Sequence, residues 1–497
     1  MGIMDARVMV VDAGTSAVKA AVLDGPRVLA SSEVTLRVDR PEPSHAEQSP
    51  DAWWDAFVAA VRGCSTDDPA PTALAITGQM QDLVLLDEHG GSIRPALLYA
   101  DHRATAELST LTAELGGSWF RATGNVADPS STAAQLRWVS EHEPEALRRT
   151  REVVLGSPGY LVRRAASEGV CDLTTASTTG LLDIASGTWW APVLAALGVD
   201  EGLLPRLVDG ASVCGRLGPG PAGELGLPSG LPVVHAAGDV GAATAGLVGD
   251  QRDTPNISLG TSGGLATLTD STPGPHGALH RMVGPRGDGS ILIGSLLSAG
   301  ATLDWARRTY LPGCDHATAD GLAAAAGPTD LLMLPSLAGE RSPVRDPAAR
   351  GAVIGLRPTT TAGELYRAAM EGIAYSLREI SALMPGASAV DERPVPLSGG
   401  AGRSVLLRQI IADVMARPVL PVAAQHASLI GAQRAAAIAL GEPVPPSALE
   451  TADLAETLRP GPHQHHYDAL VSAHARLWQA LSPTFAALAD PAPTTHP

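Results

Sequence analysis

The chain is poor in cysteine, in long apolar runs and in positive charge. Its 497 residues include 35 basic and 52 acidic side chains, and the formal net charge of −17 argues against a general nucleic-acid binder. The four cysteines lie far apart without paired spacing, so neither a disulfide framework nor a zinc site is predicted. No apolar run approaches the roughly 18 residues of a membrane span, and the first residues lack a signal-peptide pattern. These absences predict a soluble protein of the reducing cytoplasm.

The composition is that of a folded protein of two or three domains. Hydrophobic residues make up 45% of the chain and charged residues 18%, which is enough apolar sequence to fill sizeable cores. At roughly 100 to 200 residues per domain, the length predicts two or three domains. A disordered chain is excluded on the same grounds.

Lysine is almost absent, and its one occurrence is informative. Lys19 is the single lysine among the 35 basic residues, and all the others are arginine. It follows a Gly-Thr-Ser sequence closely, which favours a specific role over chance.

The Gly-Thr-Ser sequence occurs twice in similar surroundings. The run 7–12 predicts a buried strand, 14–16 a tight turn and 17–23 a second strand. Half the chain later, 256–259 predicts a strand, 260–262 repeats the turn and 263–268 continues. The repeat predicts two similar domains. We place them at 5–248 and 249–488, with a disordered tail at 489–497.

Other segments predict the elements around these turns. The Gly/Pro-rich stretch 216–232 predicts a loop that leads into a strand at 232–237, which ends at Gly238 and Asp239. A helix is predicted at 50–62, with Pro50 at its first position. Another is predicted to begin at Thr361, where Thr361 and Glu364 form a capping box.

The two turns have the composition of phosphate-binding loops. Glycine and small neighbours let backbone N–H groups approach an anion closely. In the first copy, Asp12 offers a carboxylate for hydrated Mg²⁺ and Lys19 offers a cation for phosphate oxygens. No P-loop motif is present. The match to a dinucleotide-binding motif at Gly218, Gly220 and Gly223 is rejected, because no convincing strand precedes it and no helix is predicted after it.

Asp239 is a candidate general base. It follows a predicted strand in the sequence HAAGDVGAATAG, where small neighbours leave room for a substrate. A carboxylate there could accept a hydroxyl proton during attack on a γ-phosphate. The same spacing also suits a turn or cap residue.

The motifs together resemble the FGGY carbohydrate kinases, from about Met9 to Gly441. Four segments resemble the family's phosphate, substrate and catalytic motifs: VVDAGTSAVKA, ITGQMQDLVLLD with LLYADHR, AAGDVGAATAG and ISLGTSG. Three later segments are similar to its carboxy-terminal run: GERSPVRDPAARGAVIGL, ELYRAAMEGIAYSLRE and LSGGAGRSVLLRQIIADV. Within the family, EQSPDAWW and the motif order are most similar to the xylulokinases.

The resemblance implies an α/β fold of two actin-like (ribonuclease H-like) domains with a nucleotide and sugar cleft between them. It implies ATP and Mg²⁺ as cofactors, a small sugar such as the pentulose D-xylulose as acceptor, and possible homodimers. Asp239 would be the catalytic base, and Asp12 and Asp239 would hold the metal. The residues implied for the nucleotide are Asp12, Gly14, Thr15, Ser16, Lys19, Gly260, Thr261, Ser262, Gly300, Asp304, Gly400, Ala401 and Ser404. Those implied for the sugar are Gln79, Met80, Gln81, Asp101, Arg103, Asp239 and Val240.

Three positions depart from the pattern. Gln81 stands where xylulokinases have histidine, Val240 where they have asparagine, and Gln135 where the family signature has lysine. Val240 cannot hydrogen-bond a sugar hydroxyl, and one missing partner can change specificity by large factors. Another ketose, a tetritol or pentitol, or a deoxy sugar therefore remains an alternative acceptor.

Two other classes of protein fit the duplicated loops. An actin-like ATPase switch would need no sugar-facing segment around Gln79 and Arg103. Against a degenerate, regulatory homologue stand the intact Asp12, Lys19 and Asp239. The cluster His463, His465 and His466 lacks a carboxylate or cysteine partner in helical register and predicts surface histidines. The pair Trp189 and Trp190 predicts core packing rather than sugar stacking.

Overall fold

We describe the protein from a computed structural model, which covers residues 7–64, 70–271, 277–385, 392–423 and 426–489. These residues form two compact units. The first contains the chain up to Asp250, with Arg281–Ile291 and His426–Glu450; the second contains Gln251–His280, Leu292–Gln425 and the chain from Thr451 onward. Residues 490–497 of the predicted tail lie outside the described residues, and Ala489 ends the last helix.

The described residues form strands and helices that alternate along the chain. The strands are β1 (Val8–Ala13), β2 (Ala17–Asp24), β3 (Arg27–Thr35), β4 (Glu47–Gln48), β5 (Ala73–Gly78), β6 (Leu83–Leu86), β7 (Ala96–Leu97), β8 (Glu152–Leu155), β9 (Val170–Asp172), β10 (Leu182–Asp183), β11 (Thr188–Trp189), β12 (Arg206–Val208), β13 (Ala211–Arg216), β14 (Pro232–Ala236), β15 (Asn256–Leu259), β16 (Gly263–Thr269), β17 (His280–Val283), β18 (Ser290–Leu296), β19 (Leu332–Leu334), β20 (Ala352–Ile354), β21 (Val395–Ser398) and β22 (Val419–Pro421).

The helices are distributed through both units. They are α1 (Pro50–Arg62), α2 (Thr105–Leu115), α3 (Ser118–Thr123), α4 (Thr132–His142), α5 (Pro144–Arg149), α6 (Gly156–Ala166), α7 (Leu173–Ala176), α8 (Ala191–Leu197), α9 (Pro219–Leu225), α10 (Asp239–Val248), α11 (Gly300–Tyr310), α12 (His316–Ala326), α13 (Ala362–Ala382), α14 (Val405–Met415), α15 (Ala427–Leu440), α16 (Ala448–Thr451) and α17 (Gln464–Ala489).

The main sheet of the first unit has six strands in the order β13-β14-β5-β1-β2-β3. β1 pairs antiparallel with β2 and parallel with β5. Because successive side chains of a strand point to opposite faces, Val8 and Val10 pack in the cluster that includes α15, whereas Met9 and Val11 pack with α1 and α6. Helices therefore cover both faces, which confirms the predicted α/β class.

The second six-stranded sheet repeats this arrangement in the order β17-β18-β16-β15-β21-β22. β15 pairs antiparallel with β16 and parallel with β21, as β1 does with β2 and β5. The predicted capping box of Thr361 and Glu364 opens α13, which packs Ile373 and Leu377 into the core. The two predicted hairpins are therefore confirmed, and each starts a sheet of similar topology.

The prediction of a loop at 216–232 is wrong. Arg216 ends β13, and Pro219–Leu225 forms the short helix α9, in which Ala222 and Leu225 are buried. Proline is well tolerated in the first turn of a helix, where its missing N–H would be unpaired in any case. The two reasons given for rejecting the motif at Gly218 therefore fail, since a strand precedes it and a helix follows. That helix has only seven residues and begins with proline.

The predicted core packing of the tryptophan pair is confirmed, and the cysteines and helices add two further observations. All four cysteines are free thiols. Trp189 and Trp190 are buried in a core cluster. Across the residues that the structure describes, no helix is both long enough and apolar enough to cross a membrane.

Candidate active site

The first hairpin places Asp12 and Lys19 opposite each other on paired strands. The Asp12 Oδ2 accepts a 2.5 Å hydrogen bond from Ser428 Oγ, at the start of α15. Burial raises the pKa of Asp12, and the Ser428 hydroxyl and Lys19 oppose that rise. The other oxygen, Oδ1, is buried without a hydrogen-bond partner among the described residues. Asp12 therefore has one oxygen held by the protein and one available to a cation.

The turn after β1 is joined to the predicted sugar segment through side chains. Thr15 Oγ1 donates to Gln79 Oε1 at 2.7 Å, and Gln79 Nε2 donates to Gln48 Oε1 at 3.0 Å. Gln48 Nε2 in turn donates to the carbonyl of Thr15 at 2.8 Å, and Trp53 Nε1 donates to Gln48 Oε1 at 2.9 Å. These bonds hold Gln79 against the turn after β1. Sequence reasoning missed Gln48, although it lies in the quoted segment EQSPDAWW.

Asp239 is the first residue of α10 and directly follows Gly238. Burial, the negative charge of Asp12 and that of Asp172 raise the pKa of Asp239 to about 7, against a hydrogen bond from the Val240 N–H. A carboxylate with a pKa near neutral pH is well matched to proton transfer. The structure therefore gives Asp239 the electrostatic environment of a general base.

Met80 packs against Gly238, which has no side chain. A Cβ atom at position 238 would overlap the Met80 side chain and come within 2.7 Å of Thr175 Oγ1. This close approach requires glycine at 238. Met80 thus packs on the residue that precedes the candidate base.

Gln81 has a left-handed backbone, with φ of 74°, which is uncommon for a residue other than glycine. Its side-chain Nε2 donates to the Ser130 carbonyl at 2.6 Å, and its own carbonyl accepts from Thr132 Oγ1 at 2.8 Å. Strained backbone of this kind persists where surrounding contacts enforce it, often at ligand sites. Gln135, the third departure from the family pattern, donates to the Leu98 carbonyl at 2.9 Å.

Asp82 is a buried acid that sequence reasoning did not select. Its Oδ1 accepts the Tyr99 N–H at 3.2 Å, and its Oδ2 is buried without a partner among the described residues. Burial raises its pKa well above the ordinary value, and the charge of Asp239 raises it further. Its position directly after Gln81, a predicted sugar residue, was the feature of the sequence that could have identified it.

Asp101 and Arg103 are bound to each other. Arg103 donates from Nε to Asp101 Oδ1 and from Nη2 to Asp101 Oδ2, each at 2.8 Å. Arg103 also donates to Glu47 at 2.7 Å, and its guanidinium lies 4.9 Å from the centre of the Trp138 ring. Asp101 Oδ2 accepts the Ala46 N–H as well, at 2.6 Å. Both side chains are thereby fixed beside β4, and their contact with a sugar stays a prediction.

The second Gly-Thr-Ser turn lies next to other predicted nucleotide residues. The Gly300 N–H donates to the Gly260 carbonyl at 2.9 Å, and a Cβ at 300 would overlap that carbonyl. Gly399, with φ of 97°, closely approaches the Leu259 backbone and leads into the turn that carries Gly400 and Ala401. The second unit therefore gathers the loop, the start of α11 and this turn.

Two further predicted nucleotide residues have partners in the same unit. Ser404 caps α14 and donates to Asp320 Oδ2 at 2.6 Å. Asp304, on α11, lies 3.6 Å from Arg307 and 3.4 Å from His316. Their roles toward a nucleotide stay predictions.

The histidine cluster is a surface feature, as predicted. His463 and His465 are exposed, and His466 is half-buried with Nε2 at 2.9 Å from the Thr329 carbonyl. Among the described residues, one group of side chains is spaced closely enough to hold a metal ion: Glu107, Glu141 and His142. None of the three clustered histidines belongs to it.

Comparison with protein families matches nearly the whole chain. The models of the N-terminal and C-terminal domains of the FGGY family of carbohydrate kinases match residues 7–246 and 256–440. The chain belongs to this family. It is an ATP-dependent carbohydrate kinase with the two-domain, actin-like α/β fold.

Several relatives are similar over almost their full length. The xylulose kinase of Streptomyces rubiginosus is 36% identical over 87% of this chain and 88% of its own. The xylulose kinase of Escherichia coli K12 is 32% identical over 96% of this chain and 99% of its own. The crystal structure of xylulose kinase from Rhodospirillum rubrum superimposes with a TM-score of 0.88, at 28% identity, over 96% of this chain and 99% of that one.

Proposed function

We propose that this kinase transfers the γ-phosphate of ATP to a hydroxyl of a pentulose such as D-xylulose, with Asp239 as the general base. The observation that carries the proposal is the carboxylate of Asp239 at the start of α10, with its pKa raised to about 7 by burial and by Asp12. The choice of acceptor rests on relatives named xylulose kinase at 32% and 36% identity.

In the proposed reaction Asp239 accepts the proton of the sugar hydroxyl while that oxygen forms a bond to the γ-phosphorus. The bond from the γ-phosphorus to the bridging oxygen breaks, and ADP leaves with that electron pair. Asp239 holds the proton until the phosphorylated sugar departs. A base of this kind contributes about 10²- to 10⁴-fold in rate.

We propose that residues from each of the two units contact the nucleotide. From the first unit we assign Gly14, Thr15 and Ser16, whose backbone forms the turn after β1, and Lys19 on β2. From the second we assign the loop and the pocket around it, namely Gly260, Thr261, Ser262, Gly300, Asp304, Gly400, Ala401 and Ser404. Backbone N–H groups in glycine-containing turns suit phosphate oxygens.

The residues present fit a divalent cation, which we propose is Mg²⁺. Asp12 Oδ1 is a buried carboxylate oxygen without a partner among the described residues. Asp239 supplies a second carboxylate, whose pKa is raised by the negative charge of Asp12. Carboxylates together with substrate phosphates are the ligands that Mg²⁺ prefers. When bound, the ion neutralises charge on the phosphates.

The sugar is proposed to contact Gln79, Met80, Gln81, Asp101, Arg103, Asp239 and Val240. Val240 brings an apolar side chain next to the base, and the Gln81 amide is engaged with Ser130. These two features keep another ketose, a tetritol or pentitol, or a deoxy sugar as second candidates. A glycerol kinase of Alkalilimnicola ehrlichii, 29% identical over 87% of this chain, supports including polyols among them.

The test is ADP release by the purified protein with ATP and Mg²⁺ across ketopentoses, ketohexoses, tetritols, pentitols, glycerol and deoxy sugars. The blank is Asp239→Asn, which we expect to lose sugar phosphorylation and to keep ATP binding. A rate that D-xylulose stimulates and the blank lacks supports the proposal. Substrate-independent ADP release in both proteins would favour the actin-like switch.

Val240→Asn tests the sugar pocket. We expect it to raise kcat/KM on D-xylulose by about tenfold relative to the other acceptors, because asparagine adds a hydrogen-bonding group beside the base. Val240→Ala, which adds no such group, is the control. An unchanged substrate ranking in Val240→Asn would remove this position from acceptor selection.

A further inference from the structure

Asp172 is a fully buried carboxylate that has appeared above only as one of the charges around Asp239. It ends β9 and is the N-cap residue of α7, where its Oδ1 accepts the Thr175 N–H at 2.9 Å. The same oxygen accepts the Gly238 N–H at 3.2 Å. One buried atom therefore joins α7 to the junction between β14 and α10.

The Gly238 N–H donates directly before Asp239 in the chain. Among the described residues, Asp172 accepts this N–H. Met80 and Thr175 occupy the space that a side chain at 238 would need. The peptide unit that leads into Asp239 is thus held by a hydrogen bond and by packing.

The peptide between 237 and 238 is also held at its carbonyl, because Thr77 Oγ1 donates to the Ala237 carbonyl at 2.6 Å. The Val240 N–H donates to the Asp239 carboxylate itself at 2.7 Å, and the Gly238 carbonyl accepts from Ala242 within the helix. A rotation of the peptide between 237 and 238 would carry the Asp239 carboxylate with it. The bond from Gly238 to Asp172 opposes that rotation.

We propose that Asp172 is a positioning residue for phosphoryl transfer, which fixes Asp239 by accepting the Gly238 N–H. This proposal rests on the proposed role of Asp239 as base. Small displacements of a catalytic group, on the order of 1 Å, can cost about 100-fold in rate. Loss of the bond therefore lowers kcat more than it changes substrate affinity.

Two substitutions separate positioning from simple helix capping. Asp172→Asn keeps an Oδ1 acceptor for both N–H groups. Asp172→Ser keeps a good N-cap for Thr175, but its shorter side chain does not reach Gly238. The matched control is Asp315→Ser, because Asp315 is likewise an N-cap, with Oδ1 at 2.8 Å from the Thr318 N–H of α12.

The experiment measures kcat, the KM for ATP and the KM for D-xylulose, or for the best acceptor found, in these variants and in Asp239→Asn. We expect Asp172→Ser to lose at least about tenfold in kcat with both KM values within about threefold. Asp172→Asn and Asp315→Ser should stay within about threefold of the wild type in kcat. Wild-type kcat in Asp172→Ser overturns the proposal, as does an equal loss in Asp172→Asn.

Two further readouts keep the outcomes distinct. If Asp239→Asn retains turnover, the proposed base is wrong; if it is inactive while Asp172→Ser turns over normally, only the positioning role fails. Amide hydrogen exchange at Gly238 in the wild type needs no variant to fold. We expect slow exchange there, and exchange at the rate of an unfolded chain overturns the proposal.

Discussion

Asp239 is a half-buried residue, and its surroundings favour the protonated form of its carboxyl group. Because its pKa is raised to about 7, the folded protein binds this proton more tightly than the unfolded chain, where the pKa is about 3.9. The stabilising contribution of the proton is complete below about pH 4 and is lost as the pH rises through about 7. At the pH where Asp239 acts as a base, it therefore costs stability.

Asp239→Asn removes the charge and nearly keeps the shape. In ligand-free protein we expect the free energy of unfolding to exceed that of the wild type by a few kcal/mol at about pH 8, because the two pKa values lie about three units apart, with little difference near pH 4. Urea unfolding at the two pH values measures this. A difference that is the same at both would mean that Asp239 is ionised throughout.

Asp315→Asn is the matched control for this measurement. Asp315 is an exposed cap whose pKa is lowered by hydrogen bonds from Thr318. Its contribution is present at neutral pH and is lost as the pH falls through its folded pKa. The control should therefore lose stability at about pH 8, which is the opposite sign.

Residues with a distinctive neighbourhood could be predicted from the sequence, and their partners could not. Asp12, Lys19 and Asp239 stand in glycine-rich turns after strands, which is a local signal. Ser428 and Asp172 contact these segments from distant parts of the chain, and the Asp12 to Ser428 bond spans 416 residues. A single serine or aspartate in an ordinary helix or cap gives no sequence pattern for such a contact.

At the scale of the elements, the helices α10 and α15 pack so closely that their backbones are nearly in contact. A Cβ at Gly431 would overlap the Ala242 backbone, and one at Gly246 would overlap the Ala427 backbone. α10 begins at Asp239, and α15 carries Ser428 against Asp12. The glycines therefore set the distance between the two helices that carry or hold both carboxylates.

Gly431→Ala should destabilise the protein by about 1 to 3 kcal/mol, because the added methyl group has no space. The matched control is Gly321→Ala in α12, where a Cβ meets nothing within 4 Å. There alanine should stabilise by about 0.5 to 1 kcal/mol through better helix propensity. Denaturant unfolding of both variants measures the difference, and a neutral Gly431→Ala would show that the helices can separate without cost.

The elements that could be predicted are those with strong local signals. The two hairpins follow from apolar runs around Gly-Thr-Ser, and α13 from its capping box and helical spacing. The short helix α9 was missed because glycine and proline dominate its sequence, although Pro219 suits the first turn and Leu225 is buried. In α9, burial against the rest of the fold outweighed the weak helix propensity of its glycine and proline residues.

At the scale of the whole molecule, segments that are neighbours in sequence do not always belong to the same compact unit. α15 belongs to the first unit, although it lies between two segments of the second unit in sequence. It packs Leu429, Ala432 and Ala436 on the sheet that contains β1. An alanine-rich helix fits many surfaces, so the sequence did not indicate which sheet it covers.

The last prediction uses the stability of the whole molecule to test the nucleotide assignment. A ligand that binds only the folded state stabilises it, by about 2.7 kcal/mol at a concentration 100 times its Kd. Lys19 is opposite Asp12 in the hairpin, and its ammonium is proposed to bind phosphate oxygens. Lys19→Ala should therefore reduce the rise in Tm caused by ADP with Mg²⁺ and leave the rise caused by the sugar unchanged.

Asp239→Asn provides the reciprocal control, because Asp12 and the phosphate contacts remain in it and should keep most of the shift with ADP and Mg²⁺. Thermal unfolding with each ligand alone measures both. A normal ADP shift in Lys19→Ala together with a lost sugar shift would place the lysine at the acceptor. The first hairpin would then bind the sugar through Lys19, and the phosphate contacts would have to come from the backbone of the two Gly-Thr-Ser turns.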